Sequence, residues 1–392
     1  MLADITRNNL FGREQSASLQ GTYGLLEQKL DLLFQIPHFE GSRNFGLAFS
    51  AGYANSLDVT TYVASKLDAG LRWTERFNSP GSAFSRANTF VYEFNFRRVK
   101  VQANSLQVAP GEIAQESTAV RVAGPALTWI RDTRDSPLDA HRGTYTSFQE
   151  FLSGKAFGAQ AGFNRLDASN SSYYTFDKRR FVLARNTRYG QERAFGSSEE
   201  ELIPLPERLY AGGATSLRGF SQNVAGPRDP ETGYPIGGAG ALLNSTELRL
   251  PPPTLPWLGD SVSLVLFHDM GNVFANASDA WASALRVRQP DRETCENLNI
   301  VDPNHPDNPP AGPITSTGWQ GQCSFNYFSH APGAGVRYHT PAGPIRLDFS
   351  YNLNPPMYPV IYNYSISNWK LADSYVGHAG HFNFFFSLGQ TF

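Results

Sequence analysis

The last segment of the chain alternates apolar and polar side chains. From His381 to Phe392 every second position is apolar, with Gln390 the exception, and small or polar residues stand among the positions between. A repeat of two residues predicts a β-strand with one apolar and one mostly polar face. The segment also has about the ten residues that a strand needs to cross a bilayer.

An earlier segment repeats the pattern. Its apolar face carries Ile345, Leu347, Phe349, Tyr351 and Leu353, and its polar face carries Arg346, Asp348, Ser350 and Asn352. A strand of a soluble β-sandwich turns its apolar face inward, whereas a strand of a membrane barrel turns it towards lipid. Alternation therefore predicts the strand but not its direction, and the composition must decide between the two.

Similar segments, separated by clusters of turn residues, recur along the whole chain. They predict about fourteen or fifteen strands, which lie near Leu2–Thr6, Ser16–Tyr23, Gln28–Ile36, Asn44–Tyr53, Thr60–Trp73, Thr89–Val101, Ala123–Ile130, Arg142–Leu152, Tyr173–Phe176, Phe181–Tyr189, Gly240–Leu250, Ser261–Asp269, Gly333–His339, Ile345–Leu353 and His381–Phe392.

The composition favours a barrel in a membrane. The mean hydropathy is −0.36, and no run of about 18 apolar residues that could form a transmembrane helix occurs. Aromatic residues make up 13% of the chain and 35 residues are glycine, which is typical of outer-membrane barrels when it accompanies alternating strands and long polar loops. We therefore expect residues 1–392 to form one all-β domain, a transmembrane antiparallel β-barrel in the bacterial outer membrane.

Other classes of protein find little support. The net charge of −2 argues against a nucleic-acid partner, because phosphate binding needs a concentrated basic excess. No Gly-x-Ser-x-Gly elbow occurs, and the glycines at 237–240 lack the Lys-Ser/Thr of a phosphate-binding loop. His378 and His381 are better explained as rim residues than as metal ligands. We expect neither catalytic residues nor a metal.

The connections between the late strands predict an orientation. Thr340–Pro344 and Pro251–Gly259 are short, whereas Ala275–Phe328 and Asn354–Ala379 are long. Outer-membrane barrels keep short turns in the periplasm and long loops outside. The C-terminus is therefore expected at the periplasmic side, and residues 190–239 are expected to form an external loop.

The two cysteines, Cys295 and Cys323, both lie in the long Pro/Asn/Gly-rich connection. In an oxidising compartment we expect them to form a disulfide, and two free thiols are the alternative in a reducing one. A zinc site is disfavoured because no histidines flank the pair.

The loop 190–239 contains Gly-Gly-Ala-Thr-Ser-Leu-Arg-Gly-Phe at residues 212–220. Glycines permit a tight path, so such a loop can fold back into a barrel and carry Arg218 with it. Alternation turns Glu247 and Asp269 to the lumen, because their apolar strand neighbours occupy the opposite face. The sequence predicts a loop pinned by contact of Arg218 with Asp269 or Glu247. A surface turn with a solvated arginine is the alternative.

These residues resemble the BamA/TamA superfamily of outer-membrane assembly factors, also called bacterial surface antigens. The stretch from Gly212 and Gly213 through Leu217, Arg218, Gly219 and Phe220 is similar to the family's signature loop. Four further stretches agree in order and spacing, and the resemblance covers essentially the whole chain: Asn9–Arg13, Arg131–Leu138 with Arg142 and Gly143, His268–Phe274, and Gly335–Tyr338 with Pro341–Pro344.

The resemblance implies a 16-stranded barrel that helps unfolded β-barrel or secreted client proteins into the outer-membrane lipid, without ATP, metal or other cofactor. It implies that Arg218 contacts Asp269 and Glu247 on the wall. It also implies that the last strand, kinked near Gly389 and ending at Phe392, pairs poorly with the first and leaves a seam that opens sideways towards a client.

The resemblance also implies missing parts. Matched to the family, the chain begins in about the second strand, and Met1–Thr6 shows no signal peptide. We expect the first strand, the signal peptide and the periplasmic POTRA domains, with any accessory periplasmic partners that they bind, to belong to an upstream part. A degenerate barrel that lacks the first strand is the alternative. Two alternatives to an assembly factor are a two-partner secretion transporter, which shares the signature loop, and a passive porin or receptor.

Overall fold

A computed structural model describes residues 2–24, 27–57, 59–77, 87–102, 105–107, 119–137, 139–176, 181–195, 203–229, 233–251, 262–290, 324–340, 343–361 and 374–388. Within them, 15 strands form one sheet in which every neighbouring pair is antiparallel. The strands follow each other around the sheet in chain order, which is the topology of an up-and-down barrel. The predicted all-β class and antiparallel barrel architecture are confirmed.

The 15 strands of this sheet are β1 (Leu2–Leu10), β2 (Gln15–Tyr23), β3 (Glu27–Ile36), β4 (Phe45–Ser56), β5 (Ala64–Phe77), β6 (Asn88–Val101), β7 (Val120–Asp132), β8 (Gly143–Ser153), β9 (Phe163–Phe176), β10 (Phe181–Ala194), β11 (Gly240–Arg249), β12 (Val262–Phe274), β13 (Ser329–Thr340), β14 (Gly343–Tyr351) and β17 (Phe382–Leu388). A separate hairpin joins β15 (Met357–Ile361) to β16 (Ser374–His378), and one short helix, α1, spans Asp279–Ala282.

Alternation along the strands separates an outer from an inner face. On β14, Arg346 and Asp348 are buried, whereas Phe349 between two inward residues is 58% exposed. On β17, Phe384 and Phe386 are likewise more than half exposed. The apolar faces therefore point outward, as a bilayer requires and as no soluble sandwich would allow.

The connections divide the sheet into two rims. The three longest, residues 195–239, 275–328 and 352–381, all join strand ends at one rim, which we call the loop rim. The opposite turn rim holds shorter connections, the shortest being residues 341–342 between β13 and β14. Among the described residues no pairing joins β1 to β17, so the described sheet has two edges.

Every predicted strand has a counterpart in the sheet, although residues 389–392 of the last one lie outside the described residues. Two differences are larger than shifts of a few residues at strand ends. Strand β9 begins at Phe163, ten residues before its predicted start, because residues 164–172 carry polar side chains on both faces and hide the alternation. The hairpin β15–β16 lies inside a connection that the sequence predicted to be a loop. No helix in the described residues is long and apolar enough to span a membrane.

A charge on the outer face should be far costlier than one on the inner face. Leu71 lies midway along β5 and is flanked across the sheet by Phe49 and Phe94, all three being outward and exposed. We expect Leu71→Lys to lower the free energy of unfolding from vesicles by about 2–4 kcal/mol. Urea titration of reversible folding, read as heat-modifiable gel mobility, measures this.

The matched control is Gln149→Lys, which adds the same charge to the luminal face of β8, where Gln149 lines an open cavity. We expect a change within about 0.5 kcal/mol. Equal losses in the two variants would show that the faces are assigned wrongly.

Candidate functional site: the luminal loop and its arginine network

The loop between β10 and β11 folds into the lumen and spans it. At one side Leu205 packs in a cluster with Val59, Tyr62, Ala64 and Val99, which belong to the wall around β5 and β6 and its loop-rim connection. At the other side the buried Leu217 and Phe220 share a cluster with Ala241, Leu243 and Val273 of β11 and β12. The sheet therefore curls around the loop.

Two glycines let the chain turn and approach the wall. Gly212 has a φ of +119°, and a Cβ there would lie 2.3 Å from the carbonyl oxygen of Ser221. A Cβ on Gly219 would lie 2.8 Å from the Cβ of Ala331 in β13. A side chain at either position would force the tip of the loop away from the wall.

Arg218, at the tip of the loop, is 2% exposed and uses its whole guanidinium. Nε and Nη2 donate to the two oxygens of Asp269, each at 2.7 Å. Nη1 donates to Glu247 at 2.8 Å and to Asp348 at 3.4 Å, and Nη2 also donates to the hydroxyl of Ser245 at 2.9 Å. All five donors of the planar fork therefore have acceptors, and the bond to Asp269 is bidentate.

The surroundings of Arg218 keep it charged. Burial lowers the pKa of Arg218, but the hydrogen bonds and charge of Asp269 and the charges of Glu247 and Asp348 outweigh burial and raise it. The guanidinium carbon also lies 3.5 Å from the ring centroid of Phe267, a cation–π contact that adds to the attraction. A lysine could supply the charge but could not reach the same acceptors.

Two more buried arginines belong to the network. Arg337 of β13 donates to Asp348, and to Glu247 at 3.4 Å. Arg346 of β14 donates to Asp348 at 2.9 Å. These three arginines and three carboxylates are all buried and have a formal charge of zero. At the edge of the network Arg249 lies 3.9 Å from Glu247 and 3.5 Å from Asp139, so its charge is also paired. A neutral, hydrogen-bonded set of this kind is the arrangement in which buried charges are tolerated.

The backbone of the loop tip is held as firmly as its side chain. The hydroxyl of Ser350 donates to the carbonyl of Arg218. The carbonyl of Gly219 accepts from the side-chain amides of Asn352 at 2.9 Å and Asn383 at 3.1 Å. Because Asn383 belongs to β17, the loop contacts the edge strand of the sheet directly.

The first part of the loop binds the opposite wall. Glu207 lies 3.3 Å from Nη1 of Arg97 on β6, and its carbonyl accepts from Arg165 of β9 at 3.5 Å. The hydroxyl of Thr61 donates to the carbonyl of Pro235. The loop is thus anchored at both sides of the lumen, and a cavity of about 510 Å³ remains between it and the wall from β4 to β10.

The hairpin β15–β16 covers the loop from the loop rim. Arg228 of the loop lies with its guanidinium carbon 3.7 Å from the ring centroid of Tyr358, and it donates to the carbonyls of Val224 and Gly233 at 2.9 Å each. Burial lowers the pKa of Arg228. Arg228 is therefore surrounded by an aromatic ring and carbonyl dipoles, whereas Arg218 is surrounded by carboxylates.

The structure brings Arg218 together with both Asp269 and Glu247, which the sequence had offered as alternatives. The sequence did not identify four further members of the site, which are Asp348, Arg337, Arg346 and Asn383. Alternation had placed Arg346 and Asp348 on the polar face of β14, so the same signal could have identified these two. Gly389, Phe392, Cys295 and Cys323 lie outside the described residues. The disulfide and the kink near Gly389 therefore stay predictions.

An antiparallel barrel with a loop pinned inside it by a buried arginine defines a class of outer-membrane protein. Residues 9–392 match the model of the Omp85 superfamily domain, and the chain belongs to this superfamily. The resemblance stated for the signature loop is thereby confirmed at the level of the family.

Curated relatives are similar at low identity. The chain is 27% identical over 289 residues to the outer membrane protein assembly factor BamA of Nitratidesulfovibrio vulgaris, covering 72% of this chain and 34% of the relative. It is 24% identical over 379 residues to BamA of Neisseria meningitidis, covering 90% and 42%. It is 27% identical over 291 residues to the sorting and assembly machinery component 50 homolog of Xenopus tropicalis, covering 70% and 56%. The chain thus spans about a third to just over half of their length.

Solved structures share the fold. The crystal structure of BamA from Haemophilus ducreyi lacking POTRA domains 1–3 matches with a TM-score of 0.67 at 16% identity, over 98% of this chain and 66% of that one. CdiB from Acinetobacter baumannii matches with a TM-score of 0.50 at 12% identity, over 99% and 56%. At these identities the likeness concerns the fold alone.

Removing the guanidinium should release the loop. We expect Arg218→Ala to cost about 3–5 kcal/mol, because buried Asp269 would lose its ion pair with Arg218 and buried Glu247 would keep only its longer contacts with Arg337 at 3.4 Å and Arg249 at 3.9 Å. Arg218→Lys should lose less, since the charge remains. The urea midpoint of folding and protection of the loop from protease report both changes, and Arg193→Ala, an exposed arginine of β10, is the matched control. An unchanged midpoint in Arg218→Ala would contradict the pinned loop.

The bond between the loop and β17 can be tested separately. We expect Asn383→Ala to cost about 0.5–1.5 kcal/mol and to speed hydrogen exchange of the β17 amides, because one of two bonds to the Gly219 carbonyl is lost. Amides of β6 in the same molecule should exchange as before. Asn95→Ala, a luminal asparagine of β6 without a hydrogen bond of its side chain in the described residues, is the control. If β17 exchanged at the parental rate, the contact would not restrain the strand.

Proposed function

We propose that this protein assembles β-barrel clients in the outer membrane, offering them the free edge of β17 as a template. The observation that carries the proposal is the set of bonds that join Arg218 and Gly219 of the luminal loop to β11, β12, β14 and β17. These bonds hold β17, the last strand of the sheet, in place. One edge of β17 pairs with β14, and its other edge has no partner strand among the described residues.

The sequence relatives support this role. Two of them are named outer membrane protein assembly factors and one a sorting and assembly machinery component. Because the chain spans only part of each, activity and partners are carried over here as proposals. They include unfolded β-barrel or secreted clients, outer-membrane lipid, and accessory periplasmic proteins bound through further domains.

The physical basis is the cost of an open strand edge in lipid. Backbone N–H and C=O groups without partners are expensive in hydrocarbon, where no water can satisfy them. A client strand that pairs with β17 removes this cost and becomes hydrogen-bonded itself. The folding of the client then supplies the free energy, so that neither ATP nor a metal is needed.

The proposal includes an orientation, which the lengths of the connections support. We place the turn rim and the end of β17 in the periplasm and the loop rim outside, since outer-membrane barrels keep their long loops on the outer side. Clients that arrive from the periplasm would then meet β17 at its C-terminal end.

The second candidate function is secretion through the lumen, as in a two-partner transporter. The cavity of about 510 Å³ beside the loop is the observation that favours it, because a client could enter the lumen there. Secretion predicts client contact with the inner wall, whereas assembly predicts contact with the edge strand.

Site-specific photo-crosslinking distinguishes these routes. A photoreactive phenylalanine replaces Phe384 on β17, Phe94 on the central strand β6, or Gln149 on the luminal face, and the protein in vesicles receives an unfolded outer-membrane barrel. Phe384 and Phe94 are both outward, at 57% and 42% exposure. We expect client crosslinks at position 384 and faster client folding than in empty vesicles.

Position 94 is the matched control for random collision with the barrel. Crosslinks at position 149 that exceed those at 384 would favour secretion instead. Equal crosslinking at 384 and 94, or client folding no faster than in empty vesicles, would overturn the assembly role.

A further inference from the structure

The outer face of strands β8 to β12 carries a band of hydrogen-bonded polar side chains about halfway between the rims. Alternation places this band on the side that faces lipid, because Leu183 and Leu266 on the same faces are 41% and 50% exposed. We call it the polar belt, and its members are Thr146, Asn170, Ser172, Arg185, Thr187, Asn244, Thr246 and His268.

Arg185 is the charged member of the polar belt and is exposed. Its Nε donates to Asn244 at 3.1 Å and its Nη2 to Thr187 at 2.8 Å. No carboxylate lies within ion-pair distance of Arg185 among the described residues, and its Nη1 has no acceptor there. The guanidinium therefore keeps a positive charge and free donors on the outer surface.

Hydrogen bonds continue the belt from β10 towards β12. Thr187 donates to the amide oxygen of Asn244 at 2.8 Å, and the amide nitrogen of Asn244 donates to Thr246 at 3.3 Å. Beyond Thr246, the stacked rings of His268 and His330 approach to 3.2 Å between ring nitrogens. These side chains satisfy one another, so the belt is an ordered surface and not a set of isolated polar residues.

The belt is close to the aromatic ring at the turn rim. Tyr174, Phe176 and Phe181 stack with centroids 6.3 and 5.5 Å apart, and such rings mark a membrane interface. Arg185 follows Phe181 by four residues, which for a strand tilted by about 40° is a height of about 10 Å. A full hydrocarbon layer along a barrel is about 25 Å tall.

Protein covers the outer face immediately above the belt. Tyr189, Leu242 and Met270 pack there against a cluster that includes Phe274, and Ala280 of α1. A Cβ on Gly240 would lie 3.0 Å from the carbonyl of Asn276, so the segment before α1 crosses the outer face. Trp281, Leu285 and Val287 of this covering segment are 63%, 97% and 55% exposed, as in elements that rest on lipid at an interface.

The apolar surface between the aromatic ring and the belt is therefore about half the height of a normal hydrocarbon layer. We propose that the belt binds the phosphate of a lipid headgroup. The bilayer is locally thinned beside the belt, and this thinning brings the headgroup to the height of Arg185. An arginine matches phosphate in charge and planar donor geometry. Contact with a headgroup also means that the charge of Arg185 is not held in hydrocarbon. The thinning that this contact requires is a modest deformation of the bilayer.

The depth of the belt can be measured with spin labels on the whole protein. Nitroxides are compared at Thr246→Cys in the belt and at Leu266→Cys, which lies one outward position nearer the turn rim. The vesicles contain equal parts of phosphatidylcholine and phosphatidylglycerol. The parent chain, treated identically, reports labelling of Cys295 and Cys323. We expect position 246 to be accessible to a water-soluble nickel relaxer and position 266 to oxygen.

The charge is tested by native mass spectrometry of protein extracted from the same vesicles. We expect Arg185→Leu to retain about fivefold less phosphatidylglycerol than the parent chain. Arg185→Lys should keep part of this retention. Arg193→Leu, the matched change higher on the outer face of β10, should retain as much as the parent.

Three outcomes overturn the proposal. Oxygen access without nickel access at position 246 would place the belt in hydrocarbon, and access to neither reagent would mean that protein covers it. Equal phosphatidylglycerol retention in Arg185→Leu and the parent would remove the phosphate contact. The spin-label arm does not depend on Arg185, so it decides the matter even if Arg185→Leu fails to fold.

Discussion

The fold depends on the compensation of one buried charge. Arg218 enters the lumen on a loop. A guanidinium that is removed from water requires hydrogen-bond acceptors for its N–H groups and negative charges that compensate its positive charge. Asp269, Glu247 and Asp348 provide both, and each stands on a different strand. Three strands, β11, β12 and β14, are thereby tied to one loop, and Arg337 joins β13 to the same network through Asp348 and Glu247.

Strand alternation makes such a network possible. Asp269, Glu247 and Asp348 lie at three successive inward levels of the sheet. Arg337 lies at the next level towards the turn rim, from which its long side chain reaches both Glu247 and Asp348. The loop then closes the arrangement from inside and reaches β17 through Asn383. A change in the position of the loop would therefore alter its hydrogen bond to β17. This strand is the edge of the sheet, where a further strand would be added.

The outer surface obeys the same alternation, but its chemistry is uneven. Apolar side chains cover the outside of β5 and β14, whereas the polar belt crosses the outside of β8 to β12. The belt also explains why β9 was predicted too short. Ser172 and Asn170 face outward where the pattern expects apolar residues, so the local sequence there resembles a loop although the register with β8 and β10 is regular.

Local alternation was enough to predict the strands, their inner and outer faces, and the glycine-rich loop with its arginine, because each depends on residues close together in the chain. Parity even nominated Glu247 and Asp269. The tertiary structure decided the rest. Asp348 meets Arg218 and Asn383 meets Gly219 only because the sheet curls and the loop enters the lumen to a definite depth. Arg337 and Arg346 join the site through Asp348 for the same reason. Asp348 and Asn383 lie 130 and 164 positions from their partners in the loop, and no short sequence pattern encodes contacts at that distance.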